Sequence, residues 1–230
     1  MRKIGLIGGM SWTSTARYYQ IINEAVGKRL GGLHSAPMLI ESLDFAEVAK
    51  AQSEEEWTRT AKVLVGAAQR LETAGATALI ICANSMHRVY EDVAGAVSVP
   101  ILHIADTVGE KMKADGIKNA ALIGTRNVMT ERFYRQRLVS HGVSLMPPDL
   151  QWANEIDRII YEELAQGKAT RSSERTMKTI LTNISQAQIQ AAVLACTELE
   201  MIVDVRANVL PIYDGTSLHA MAAVEHLLGD

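Results

Sequence analysis

Ile80-Ile81-Cys82-Ala83-Asn84-Ser85 and Val193-Leu194-Ala195-Cys196-Thr197-Glu198 share one pattern, an apolar run that ends abruptly in small polar residues. Two further segments recur around them in the same order. Gly5-Leu6-Ile7-Gly8-Gly9-Met10 pairs with Ala121-Leu122-Ile123-Gly124-Thr125-Arg126, and Val99-Pro100-Ile101 pairs with Leu210-Pro211-Ile212. The steps are 116 from Gly5 to Ala121, 113 from Ala83 to Cys196 and 111 from Pro100 to Pro211, close to half of 230 residues. Landmarks repeating in order at a fixed period signal a duplicated structural unit.

Working outward from those landmarks, short β-rich runs alternate with longer stretches of helical period. Strands are expected at Lys3–Ile7, Pro37–Leu43, Thr77–Cys82 and Val99–His103, and again at Asn119–Ile123, Val143–Met146, Ala191–Ala195 and Val209–Ile212. Between them, Trp57–Ala74 places Ala61, Leu64, Val65, Ala68 and Leu71 on one helical face. Runs as uniformly apolar as Thr77–Cys82 and Ala191–Ala195 suit strands covered on both faces. The expected fold is α/β, with two pseudo-symmetric domains, each a four-stranded, mainly parallel sheet flanked by helices. The expected domains are 1–104 plus 214–230, and 105–213. Ligands of such sheets bind outside the carboxyl ends of the strands, so the expected active site is the cleft between the domains.

Composition excludes partners rather than naming one. The net charge of −3 offers no footprint for nucleic acid. No apolar run approaches the roughly 18 residues of a membrane helix, and the run after Met1-Arg2-Lys3 stops at Gly8-Gly9, too short for a secretory signal. Two cysteines make no disulfide framework and suit a reducing compartment, so a cytoplasmic protein is expected. The Gly8-Gly9 turn lacks dinucleotide spacing and a P-loop lysine. Zinc-binding and serine-nucleophile motifs are also absent, and no metal is expected.

The chemistry is expected at the strand ends. Asn84, Ser85 and Thr197 each follow a buried run at a probable helix start, where free N–H groups favour a carboxylate. A thiol at such a start has a lowered pKa, which makes Cys196 a candidate base or nucleophile; the competing role is an inert buried thiol. Neighbours on a strand face opposite sides, so Cys82 should pack in a wall while Ala83 faces the site. His87 is either a substrate or supporting contact near the cleft mouth or a helix-surface residue. Glu198 either orients Cys196 or complements the helix start. Gln52, after the second strand, could reach the cleft.

Gly8-Gly9-Met10-Ser11-Trp12, Leu30-Gly31-Gly32-Leu33-His34-Ser35-Ala36, Asn84-Ser85-Met86-His87 and Cys196-Thr197-Glu198-Leu199 together resemble the aspartate/glutamate racemase family, most closely its L-specific branch. The likeness runs end to end through Leu102–Asp106 and Leu122–Arg126. It implies racemisation without pyridoxal phosphate, metal or other cofactor, acting on aspartate and glutamate, in a homodimer. Two cysteines would face the substrate, a thiolate removing the α-proton and a thiol returning one to the other face. Position by position, Asn84, Ser85 and Thr197 would hold the α-carboxylate, Met10, Gln52 and Thr125 would line the pocket, and Cys196 would be the cysteine of the second half. Arg126 is a candidate for the distal carboxylate.

The partner cysteine belongs at position 83, and the L-specific branch has threonine there. This chain has Ala83, with no exchangeable proton. Cys196 could act alone, with water, Ser85 or His87 serving the other face. The position could have been altered to trap a substrate, or the reaction could have changed. Related malonate decarboxylases protonate an enolate from a single cysteine, and a silent amino-acid-binding protein would also keep the cleft. Losing one of two acid/base partners costs on the order of 10²–10⁴-fold in rate, so weak or one-sided activity is expected.

Overall fold

The computed structural model describes residues 1–48 and 53–229; Gln52 lies outside the described residues. The chain divides into two compact units, Met1–Ile104 with His219–Asp230, and Ala105–Leu218.

The first unit contains β1 (Ile4–Gly8), α1 (Trp12–Leu30), β2 (Met38–Ser42), α2 (Phe45–Val48), α3 (Glu54–Thr73), β3 (Ala78–Ile81), α4 (Tyr90–Ala94) and β4 (Ile101–Leu102). Its parallel sheet has the order β2-β1-β3-β4, with Ile4 opposite both Met38 and Ala78. Strand parity divides its core into two layers. Ile4, Leu6, Ala78, Ile80 and Cys82 pack with Tyr18, Ile22 and Val26 of α1 and with Ala220, Ala223, Val224 and Leu227 near the C-terminus. Ile7, Leu79, Ile81 and Ala83 meet Trp57, Ala61, Leu64, Ala68 and Leu71 of α3. The α3 helix starts before the apolar periodicity does, because Ser53 and Glu56 form a reciprocal capping box.

The second unit repeats the plan. Its elements are α5 (Ile104–Ala114), β5 (Asn119–Gly124), α6 (Arg126–Thr130), α7 (Arg132–Ser140), β6 (Ser144–Leu145), α8 (Leu150–Glu162), α9 (Arg171–Gln186), β7 (Ala191–Ala195), β8 (Ile212–Asp214) and the start of α10 (Gly215–Leu228). The sheet order β6-β5-β7-β8 is again all parallel. Ala121, Ile123, Ala192, Leu194 and Cys196 pack on the apolar faces of α8 and α9, including Ile156, Ile160, Met177, Ile180 and Ile184.

The last strand falls later than Val209–Ile212. Pairing with β7 begins at Ile212 opposite Ala192 and ends at Asp214 opposite Leu194. Apolarity was a poor guide here. Val209 is exposed, whereas the charged Asp214 is buried because its carboxylate accepts the N–H groups of Thr216 and Ser217. The return crossing between units lies at Leu218–His219, not at 213–214, since β8 and the first turn of α10 stay with the second sheet.

Burial of a titratable group gives the first unit an acid sensitivity. His219 is fully buried, accepts the Tyr18 hydroxyl at Nδ1 and donates from Nε2 to the Leu102 carbonyl, both at 2.9 Å. Burial lowers its pKa to about 4, and the bond to Leu102 opposes this only weakly. The unfolded chain therefore binds a proton that the folded chain refuses between pH of roughly 6.5 and about 4. Its contribution is complete above that window and lost as the pH falls through it, by up to about 3 kcal/mol. Denaturant titrations across this range should show stability falling with acid, and His219→Gln should flatten that dependence.

Candidate functional site

Each unit presents a furnished strand end. In the first, β1 runs into Gly8-Gly9, where Gly9 has φ of 87° and a Cβ would lie 2.1 Å from the Leu43 carbonyl oxygen. Only glycine meets both conditions at this position. The turn delivers Met10 into the core beside Ile7 and Ala83. Ser11 caps α1 by accepting the Ser14 N–H, so its hydroxyl is engaged in helix capping.

After β3 the chain continues through Cys82, Ala83 and Asn84 into a 3₁₀ turn, Ser85–Val89. Cys82 is 0% exposed in the layer facing α1 and α10, and burial pushes its thiol far above the ordinary range. Ala83, 8% exposed, belongs to the opposite layer. Asn84 is buried, and its Oδ1 has no hydrogen-bond partner. Ser85 is half-buried.

His87 corrects the sequence expectation of a surface or cleft-mouth residue. It is 1% exposed, with Nδ1 on the Ala83 carbonyl at 3.0 Å and Nε2 accepting the Ile104 N–H at 3.3 Å. The segment is a 3₁₀ turn, and the His103 and His219 rings and the first residue of α5 lie against the side chain.

In the second unit, Thr125 stands at the N-cap of α6 but makes no capping bond. Asp157 of α8 performs that function, accepting the Arg126 N–H at 2.9 Å. The Thr125 hydroxyl is left buried and without a partner. Arg126 itself is exposed. At the end of β7, Cys196 is 8% exposed and its thiol donates to Glu198 Oε2 at 3.1 Å. Thr197 is half-buried, with the buried Thr216 hydroxyl donating to its own at 3.4 Å.

The thiol also departs from expectation. The Cys196 pKa is raised well above its ordinary value, first by burial, then by the Glu198 charge and the hydrogen bond to it. The N–H groups of Glu198 and Leu199 do favour thiolate. They are too few to prevail, because the following segment is a five-residue 3₁₀ turn, Thr197–Met201, rather than a long helix. At neutral pH the resting group is a thiol hydrogen-bonded to a carboxylate.

Sequence reasoning missed Asp157 and Thr216. Thr216 was accessible to it, since Tyr213-Asp214-Gly215-Thr216 is another strand running into small polar residues. Asp157 was not, because it comes from the adjoining α8 helix. Among the described residues, no cluster of three or more His, Cys, Asp or Glu side chains could hold a metal ion. No helix among them is long and apolar enough to cross a membrane.

A sequence model described as Asp/Glu/hydantoin racemase matches residues 7–223. The broad-specificity amino-acid racemase RacX of Bacillus subtilis (strain 168) is 24% identical over 228 residues, which cover 98% of each chain. Among solved structures, a candidate Asp/Glu racemase from Yersinia pestis aligns with a TM-score of 0.92 and 39% identity, over 99% of this chain and 100% of its own. An aspartate racemase homologue from Pyrococcus horikoshii OT3 aligns with a TM-score of 0.86 and 32% identity, over 99% of both chains.

The contact between Cys196 and Glu198 makes a measurable prediction. Glu198→Gln removes the charge that holds the proton on sulfur, so thiol ionisation should move to lower pH. The thiolate ultraviolet absorbance, titrated against Cys196→Ser as blank, reads this directly. An unchanged titration would mean that burial alone sets the thiol.

Proposed function

The chain belongs to the Asp/Glu/hydantoin racemase family, whose racemases are isomerases, and from that premise we propose that it moves the α-proton of aspartate and glutamate without a cofactor. The observation that carries the reading is the set of uncommitted polar groups at the strand ends. A buried polar atom without a partner costs about 1–3 kcal/mol. Asn84 Oδ1 and Thr125 Oγ1 both bear that cost, which a polar ligand would relieve.

In the proposed mechanism groups at the β3 end and groups at the β7 end act on one substrate. Asn84, Ser85 and Thr197 hold the α-carboxylate, and donors preorganised there stabilise the carbanion as it forms. Asn84 serves through its amide N–H, with its oxygen available to the α-ammonium. Met10 and Thr125 line the side-chain pocket, and Arg126 receives the distal carboxylate. One methylene separates the two substrates, worth only about 1–3 kcal/mol of discrimination, so both are accepted.

Cys196 begins as a thiol, so it must lose a proton before it can act as a base. The Glu198 carboxylate takes that proton from sulfur, and the sulfur then takes the α-proton. On the return, Cys196 redelivers a proton to the same face of the carbanion. Inversion requires a proton for the opposite face, where Ala83 offers only a methyl group; water in the space left by the missing side chain supplies it slowly. His87 is excluded as that donor, since both ring nitrogens are bonded within the first unit. Exchange with retention should therefore outrun inversion. The protein is proposed to act in the cytoplasm as a homodimer.

The same two observations favour a second reading. A protonated Cys196, with alanine in place of a second proton-transfer residue, is suited to protonating one face of an enolate, as in a single-cysteine decarboxylase or isomerase of a small dicarboxylate.

Incubation in heavy water with each enantiomer of aspartate and glutamate, monitoring α-proton loss and chirality, separates these readings. Exchange faster than inversion is the expected result, and Cys196→Ala should abolish it. Ala83→Cys or Ala83→Thr should raise inversion relative to exchange, by about 10²-fold or more for cysteine. No exchange with any substrate would overturn the racemase reading. Carbon dioxide release from alkyl- or arylmalonates would then select the decarboxylase, and binding of the amino acids without turnover a silent binding protein.

A further inference from the structure

The first unit buries an aromatic array that proton transfer does not use. His87, His103 and His219 are 1%, 4% and 0% exposed. The His87 ring lies edge-on to His103 at 4.5 Å between centroids and to His219 at 5.7 Å, and His103 lies edge-on to Tyr90 at 4.7 Å. Three buried imidazoles are costly unless their nitrogens are satisfied, and here two of the rings hydrogen-bond to backbone groups.

The first such group is the Ala83 carbonyl. β3 ends at Ile81, and the 3₁₀ winding directs the His87 N–H to the Asn84 carbonyl instead. The His87 ring donates to the Ala83 carbonyl from Nδ1. The second is the Ile104 N–H, at the first residue of α5, where a helix has no internal acceptor to offer. It donates to Nε2 of the same ring. These bonds require a proton on Nδ1 and a lone pair on Nε2. His219 requires the opposite tautomer, giving its Nε2–H to Leu102 and receiving the Tyr18 hydroxyl at Nδ1. Leu102–Ile104 is therefore held at both ends by neighbouring imidazoles of opposite tautomer. Ile104 and His219 are also the residues of the first unit at its two chain crossings to the second.

Granting the racemase function proposed above, we propose that His87 is a positioning residue for the reaction: as the Nδ1–H tautomer it clamps the strand end carrying Ala83 and Asn84 to the residue where the chain leaves the first unit. It touches no substrate. Its effect is to fix the Asn84 amide within the few tenths of an ångström that a carboxylate-binding group tolerates.

Imidazole in water carries its proton mainly on Nε2, so the tautomer is a signature that folding alone does not impose. Long-range proton–nitrogen correlation spectra of the full chain, labelled at histidine, should show an Nδ1–H ring that is lost in His87→Asn and an Nε2–H ring that is lost in His219→Gln. The Asn84 side-chain amide resonances should shift in His87→Leu. They should return in His87→Asn, which keeps an N–H donor where Nδ1 stood. Exchange kcat should fall about 10- to 100-fold in the leucine variant, with KM changing less, and recover in the asparagine variant. An Nε2–H tautomer at His87, or Asn84 resonances indifferent to both substitutions, would overturn the proposal. These spectra need no substrate. If the wild-type protein exchanges no α-proton, the racemase reading fails, while the clamp on Asn84 is still decided by the spectra.

Discussion

A parallel strand covered on both faces has no place for a polar side chain along its length, and this restriction organises both units. Polar groups are displaced to the first residues beyond the hydrogen-bonded ladder. On β3 the ladder ends at Ile81 and on β7 at Ala195; the next few residues are Cys82-Ala83-Asn84 and Cys196-Thr197-Glu198. β5 follows the same rule with Thr125, and β8 departs from it, since Asp214 is still paired with Leu194. Parity then decides which residue enters which layer. Cys82 lies on the α1 side, while Ala83 and Cys196 occupy equivalent places, each two residues beyond a core aliphatic, Ile81 and Leu194.

The electrostatics at Cys196 show how such a position is tuned. Burial and a neighbouring carboxylate favour the thiol, and two backbone N–H groups favour the thiolate. The first pair prevails, because a five-residue turn brings few N–H groups to bear and Glu198 sits two residues away at hydrogen-bond distance. A thiol of this kind holds its proton at rest and must give it up before the sulfur can act as a base. Together with the methyl group at position 83, it makes the proposed chemistry asymmetric from the outset.

Most of the fold was legible in the residues. The internal repeat, the strands with their apolar runs, the apolar face of α3 and the separation of Cys82 from Ala83 follow from periodicity and alternation. Legibility failed where a residue's surroundings come from distant sequence. Asp214 completes a strand despite its charge, because two N–H groups at the start of α10 receive it. Asp157 takes over the capping of α6 from another helix and leaves Thr125 uncommitted. His87 meets the His103 and His219 rings and the Ile104 N–H, which no local pattern announces.

The order of residues alone determined that two similar α/β units exist, where their strands end, and that alanine stands where a second proton-transfer group is expected. Those features depend on short-range periodicity and on residue identity. Tertiary structure decided the state of the groups at the strand ends: which hydroxyl and amide are left without partners, whether the thiol keeps its proton, and which nitrogen of His87 carries its own. Protonation and satisfaction depend on burial and on partners supplied by other segments, and these exist only once the chain has folded around them.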